Sequence, residues 1–194
     1  MKIVDFYFDL SSPYSYLAAT QVPALVARTG ADVRWKPVVL AAVFKAAGNT
    51  MPAQSPPKAR YMFHDLERWA RKYGVPFTMS SRFPLNTIKP ERLVIAAEAS
   101  GRSAEVAQEL FRAMWADDRD ITSELEMRAA ALAAGVDPNG LLAAIETGAV
   151  KDKLRAYTDE AVAREVFGAP TFAHGDKLYW GNDRIEFLEE ALRA

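Results

Sequence analysis

The stretch FYFDLSSPYSYLA, Phe6 to Ala18, passes from an apolar strand pattern through Ser-Ser-Pro-Tyr-Ser into a helical pattern. At its centre Ser12-Pro13-Tyr14-Ser15 has the spacing of a Cys-Pro-x-Cys redox motif, with serine in place of each cysteine. Pro13 suits a first helical turn, where its missing N–H would have no partner anyway, so Ser12 falls at or next to the N-cap. The amides of that turn point towards any anion held above Ser12. A thiolate is one such anion. A free thiol has a pKa of about 8.5, and lowering it by about two units takes roughly 2.7 kcal/mol of differential stabilisation. A helix N-terminus supplies about 0.3–1 kcal/mol, or ~2 kcal/mol when partly buried. A hydroxyl donating to the charged sulfur adds roughly 1.5–3 kcal/mol. Ser12 therefore reads either as a helix cap or as a hydrogen-bond donor to an anion. The nucleophile reading is weaker, because only His64 and His174 offer an imidazole base and no G-x-S-x-G elbow surrounds a serine.

Outward from this turn, Ile3 to Phe8 is short, apolar and aromatic-rich like a buried strand, and Val33 to Val39 repeats the signal after the Thr29-Gly30 break. Tyr14 to Arg28 between them reads as a helix that Pro23 should kink or divide. Such a β-α-β unit favours parallel strands. From about Leu40 to Phe167 alanine-rich helical patterns take over: Lys58–Tyr73, Pro90–Ser100, Ala104–Trp115, Ser123–Ala134 and Val150–Phe167, with GVDPNG as a turn and capping region before Leu141. Apolar spacings of three and four, as in Leu93, Ala96, Ala97 and in Leu110, Phe111, Met114, predict a helical lobe with its own core. PTFAHGDKLYW, Pro170 to Trp180, reads as two strands around a tight His-Gly-Asp-Lys turn, and Arg184 to Arg193 as a closing helix. The expected architecture is an α/β layer, residues 1–40 and 168–194, interrupted by an inserted helical domain over residues 41–167. A ligand in such a layer has a natural site at the carboxyl end of the first strand.

Composition narrows the function classes. A chain of 194 residues with 50% hydrophobic residues buries a sizeable core, and its formal net charge of −1 speaks against nucleic acid and anionic membranes as partners. No run of about 18 apolar residues and no leader-like segment is visible, so a cytoplasmic location is expected. Zero cysteines exclude disulfides and thiolate metal sites, and any thiol chemistry must bring its sulfur from outside. His64 and Glu67 share a helix face, but two ligands are weak evidence for metal, and no metal is expected. In FGAPTF, Phe167 to Phe172, a proline opens a strand and leaves the preceding backbone free to pair with a ligand; cis and trans forms of Ala169-Pro170 both remain open.

These blocks in order, SPYSYL, GN…PPKARYM, FGAPTF and WGNDR, resemble the branch of the thioredoxin-like superfamily that holds the 2-hydroxychromene-2-carboxylate isomerases and the kappa-class glutathione transferases. The resemblance covers essentially the whole chain and is nearer the isomerases through VDFYFD and the full WGNDR. It implies a thioredoxin-like fold, N-terminal β-α-β and C-terminal β-β-α, with a large all-helical insertion. It also implies a glutathione-dependent isomerase of aromatic degradation, in which the thiolate adds reversibly to a ring-opened aromatic carboxylate, and a homodimer. Ser12 matches the serine that faces the glutathione sulfur, and Ser11 is only its neighbour. Asn49 and Lys58 match polar glutathione-binding positions, with Lys58 pairing the glycine carboxylate. Ala169 and Pro170 match the backbone partner of the cysteinyl part, while Gly181, Asn182, Asp183 and Arg184 match the γ-glutamyl site. For the aromatic substrate the match is looser: Lys45 as a carboxylate partner or a solvated helix lysine, Phe83 as an apolar wall or a core residue, Asn86 as a polar contact or a helix cap. Conjugation or peroxide reduction of the kappa-class type is the alternative chemistry, sharing Ser12 and the thiol site. A non-catalytic binding module is a third, which the intact Ser12 and WGNDR oppose.

Overall fold

A computed structural model of the chain describes residues 2–193. β1 (Ile3–Phe8), α1 (Pro13–Thr29) and β2 (Asp32–Pro37) form the expected β-α-β unit, with β1 and β2 parallel and Phe6 opposite Trp35. Near the other end of the chain β3 (Thr171–His174) runs antiparallel to β1, pairs with β4 (Lys177–Trp180), and leads through a 3-10 turn at Asn182–Arg184 into α9 (Ile185–Arg193). The sheet order is β2-β1-β3-β4. β1 is thus central, and its Tyr7 lies opposite Thr171, so the Ser-Ser-Pro turn leaving β1 meets the Ala169-Pro170 entry to β3. The chain therefore has the α/β, thioredoxin-like architecture.

Between the halves lie α2 (Leu40–Ala47), α3 (Pro56–Tyr73), α4 (Ile88–Ala96) with a 3-10 extension at Ala97–Ser100, α5 (Ser103–Trp115), α6 (Glu124–Ala133), α7 (Pro138–Ala144) and α8 (Gly148–Ala163). Three local expectations differ. Pro23 does not divide α1, whose buried Val22 and Leu25 on either side of it keep the helix packed against the core; that burial outweighs the ~3 kcal/mol an interior proline costs. β2 stops at Pro37 rather than at Val39, because Val39 becomes the N-cap of α2. α8 ends four residues before Phe167, where Glu165 takes a φ of 60° and the Val166 N–H closes back on the Ala161 carbonyl.

An independent core for the helical segment is also not what forms. Phe6 stacks on Phe172 with ring centres 4.5 Å apart and meets the edge of Trp35 at 5.1 Å, while Phe8 packs on Phe111 of α5 at 5.5 Å. One continuous cluster thus runs from the sheet into the lobe. Each buried phenylalanine contributes about 1.5–3 kcal/mol, so this seam fixes the lobe over the carboxyl end of β1. On the opposite sheet face Lys36 pairs with Asp5 at 3.0 Å and Glu160 at 2.7 Å, and the Tyr7 hydroxyl donates to Glu160 at 2.6 Å, which docks α8.

Candidate functional site

Ser12 is the N-cap of α1: its backbone is extended (φ −93°, ψ 113°), and Pro13 occupies the first helical position. Its Oγ accepts the Ser15 N–H at 3.2 Å and donates to the Ala169 carbonyl at 3.1 Å. The cap and ligand-facing readings are therefore compatible, since the capping oxygen lies on the wall of a cleft. Ser11 is used differently. Its N–H and hydroxyl both donate to Asp9 Oδ1, at 2.8 and 2.6 Å. Ser15 is fully buried inside the helix, and its hydroxyl has no partner among the described residues. The Ala169-Pro170 peptide bond is cis.

The cleft, about 740 Å³, opens between the carboxyl end of β1 and the lobe. It brings together Ser12, Asn49, Lys58, Phe83, Ala169, Pro170, Gly181, Asn182, Asp183 and Arg184, which are scattered over the chain. The Asn49 side-chain amide donates to the Phe167 carbonyl at 2.9 Å, tying the loop after α2 to the segment before β3. Asn182 is buried, its side-chain amide donating to the Tyr73 hydroxyl at 3.2 Å while its backbone carbonyl accepts from that hydroxyl at 2.8 Å. Arg184 donates to Asp183 Oδ2 at 2.7 Å. Gly181 has a φ of 109°, and a Cβ there would collide with Asp183 Oδ1. Glycine is thus required both by the backbone and by the carboxylate folded against it. A Cβ on Gly168 would come within 2.7 Å of Trp180 Nε1, so Trp180 covers this segment directly.

Lys45 and Asn86 are not brought to the cleft. On α2 it is Leu40 and Phe44 that line it, and the next residue in the helix, Lys45, points to solvent. Asn86 is exposed, and its Oδ1 accepts the Ile88 N–H at 3.1 Å at the start of α4, a capping role. Phe83 lines the cleft and also packs on Trp115, with ring centres 5.9 Å apart.

Several lining residues escaped the sequence reading. Tyr61, Met62, Asp65 and Trp69 follow, together with the already assigned Lys58, the three-and-four spacing of one face of α3, a signal present in the sequence but read there only as a helix. Tyr14, inside SPYS itself, donates to Asp65 Oδ2 at 2.9 Å. Burial first, then that hydrogen bond and the Asp65 charge, push the Tyr14 phenol well above its usual range, so it stays a neutral donor.

The polar lining is a balanced set: Lys58 and Arg184 as cations, Asp65 and Asp183 as anions, two asparagine amides, the Ser12 hydroxyl and the exposed backbone around Ala169. Tyr61, Trp69, Phe83 and Trp180 supply aromatic surface beside it. Such a set suits a small zwitterionic peptide with carboxylates at its ends, lying next to an aromatic compound.

The family model of DSBA-like thioredoxin domains matches residues 3–193. The chain is 35% identical, over 98% of each sequence, to a 2-hydroxychromene-2-carboxylate isomerase of Sphingobium xenophagum. It is 30% identical to glutathione S-transferase kappa 1 of Rattus norvegicus, covering 98% of this chain and 91% of that one. Among solved structures, a 2-hydroxychromene-2-carboxylate isomerase superposes with a TM-score of 0.91 at 31% identity, over 98% of this chain and 94% of the other.

Proposed function

Because the chain belongs to the 2-hydroxychromene-2-carboxylate isomerase family of DSBA-like thioredoxin domains, we propose that it is a glutathione-dependent isomerase interconverting 2-hydroxychromene-2-carboxylate and trans-o-hydroxybenzylidenepyruvate in the breakdown of naphthalene-type aromatics. The observation that carries this reading is Ser12, whose hydroxyl and Ala169 carbonyl partner face a peptide-suited cleft in a chain without a single cysteine. Bound glutathione supplies the missing sulfur, a thiolate that adds reversibly to a conjugated double bond and lets it rotate.

The residues of the chain do the rest. Lys58 pairs with the glycine carboxylate, and Asn49 stays beside it. Asp183 holds the γ-glutamyl ammonium, while Arg184 and the Gly181-Asn182 backbone favour its carboxylate. Ser12 turns its proton from the Ala169 carbonyl to the sulfur, which frees that carbonyl for the cysteinyl N–H; both donors stay satisfied. Ser12 and the first-turn amides of α1 thus hold the sulfur anionic near neutral pH. Phe83 forms an apolar wall for the aromatic substrate, and Tyr14 remains protonated nearby. Lys45 and Asn86 take no part. We also propose a cytoplasmic location and a homodimer, the latter resting on the family resemblance alone.

A second reading, conjugation of glutathione to another electrophile, is favoured by the identity to the rat kappa-class protein and by the absence of Lys45 from the cleft. Spectrophotometry of 2-hydroxychromene-2-carboxylate on glutathione-free protein separates the outcomes. Isomerisation that appears only on adding glutathione supports the proposal, and conjugation of a model electrophile without isomerisation supports the second reading. Isomerisation without glutathione overturns both.

A further inference from the structure

A buried acid pair lies beneath the Ser11-Ser12 turn and outside the cleft. Asp9, Thr87 and Glu91 are 5%, 4% and 1% exposed. The Thr87 hydroxyl oxygen stands 3.1 Å from Asp9 Oδ1 and 3.0 Å from Glu91 Oε1. A hydroxyl has one proton and can donate to one of these oxygens only; the other contact sets lone pairs face to face unless a carboxyl carries a proton of its own. Asp9 is the member committed to the anion. Its Oδ1 also accepts the Ser11 N–H and hydroxyl, and its Oδ2 accepts the Leu40 N–H at 2.9 Å. Glu91 has Thr87 on Oε1, and its Oε2 has no partner among the described residues. An isolated buried carboxylate with a free oxygen is far more costly than a neutral acid with one. Consistently, burial, then the Asp9 charge and a side-chain hydrogen bond with Asp9, hold the Glu91 carboxyl well above the usual carboxylate range, opposed more weakly by Thr87 and the nearby Leu10 amide.

We propose that Asp9, Thr87 and Glu91 form a buried positioning relay, in which Glu91 donates its proton to Thr87, Thr87 donates to Asp9, and Asp9 alone carries charge. The groups it holds surround the cleft. Ser11 precedes the capping serine, Leu40 begins α2 and lines the cleft, and Thr87 is the N-cap of α4, four residues after Phe83. The Ser12 N–H also donates to the Asp9 carbonyl, at 2.9 Å. One residue, Asp9, thus fixes the turn, α2 and the Phe83 loop relative to one another. The second proton matters because it leaves a single negative charge beneath a site proposed to hold a thiolate, where a second would oppose the sulfur's ionisation. That functional part rests on the glutathione-dependent reading; the proton placement does not.

The test is an infrared spectrum of the whole protein near neutral pH, with turnover measured in parallel. A protonated-carboxyl C=O band is expected in the wild type and should be lost in Glu91→Gln. Glu91→Leu, which cannot donate to Thr87, should lower kcat about tenfold with little change in the KM for glutathione. Glu91→Gln should recover most of that loss, because its amide N–H replaces the acid proton. No such band in the wild type, a band that survives in Glu91→Gln, or a Glu91→Leu protein with wild-type kcat would each overturn the relay. If Glu91→Leu does not fold, the near-isosteric Glu91→Gln and the band still decide it. A wild type without glutathione-dependent turnover defeats the functional reading alone, since the band is read without glutathione.

Discussion

The Ser12 hydroxyl meets the Ala169 carbonyl at 3.1 Å, joining the start of α1 to the entry of β3 across 157 positions of sequence. The same oxygen caps α1 through the Ser15 N–H. Ser12→Ala therefore removes two things at once. The lost cap should cost about 1 kcal/mol of stability. The lost donor to a developing or resident anion should lower kcat about a hundredfold. Thermal unfolding and steady-state isomerisation together check the split. Ser11→Ala, which keeps the backbone bond to Asp9, should lose much less activity than Ser12→Ala.

Ser15 occupies the second cysteine position of a Cys-Pro-x-Cys spacing, yet its hydroxyl is buried without a partner among the described residues. An unsatisfied buried hydroxyl costs about 1–3 kcal/mol. Ser15→Ala should accordingly raise the unfolding temperature while leaving kcat near the wild-type value. A stability loss on this substitution would show that the hydroxyl has a partner in solution.

Gly181 combines a φ of 109° with a carboxylate folded against its α-carbon. Gly181→Ala must strain the backbone by roughly 1–2 kcal/mol and displace Asp183. Glutathione affinity, measured by calorimetry, should fall about tenfold or more. The effect on kcat at saturating glutathione should be smaller, because Ser12 is untouched.

Arg28 reaches from α1 to Glu189 of α9 with two parallel hydrogen bonds, Nε to Oε1 at 2.9 Å and Nη2 to Oε2 at 2.7 Å. That guanidinium holds the Glu189 carboxyl below the usual carboxylate range, with Arg193 adding to it. A carboxyl whose folded pKa is depressed adds stability above its unfolded pKa of about 4.3, and that stability is lost as pH falls through the folded value. Glu189→Gln should lower the unfolding temperature by about 2–4 °C at neutral pH. The difference from wild type should close in acid. A gap that persists there would assign the effect to packing instead.

What the sequence disclosed and what it withheld follow from which interactions are local. The strand Ile3–Phe8, the cap at Ser12 and the hairpin turn depend on patterns a few residues long, and they form where those patterns place them. The path of α1 through Pro23 was not legible, because the packing of Val22 and Leu25 that overrides the proline comes from distant elements. Lys45 and Leu40 share one short helix, and the phase that turns Leu40 to the cleft and Lys45 to water is set by the docking of α2 on α8. Tyr61, Asp65 and Trp69 show the opposite case. Their spacing marks one face of α3, but the pattern alone does not say whether that face meets a core or a ligand. Asp9 and Glu91 lie 82 positions apart, and only folding makes them neighbours.

The central claim is that glutathione brings the sulfur and Ser12 keeps it anionic, and a pH titration of the thiolate's ultraviolet absorbance on glutathione bound to the whole protein tests it most directly. The account predicts a thiol that ionises well below free glutathione in the wild type and shifts back towards the free value in Ser12→Ala. A bound thiol that titrates like free glutathione, or one whose ionisation does not change in Ser12→Ala, would contradict it.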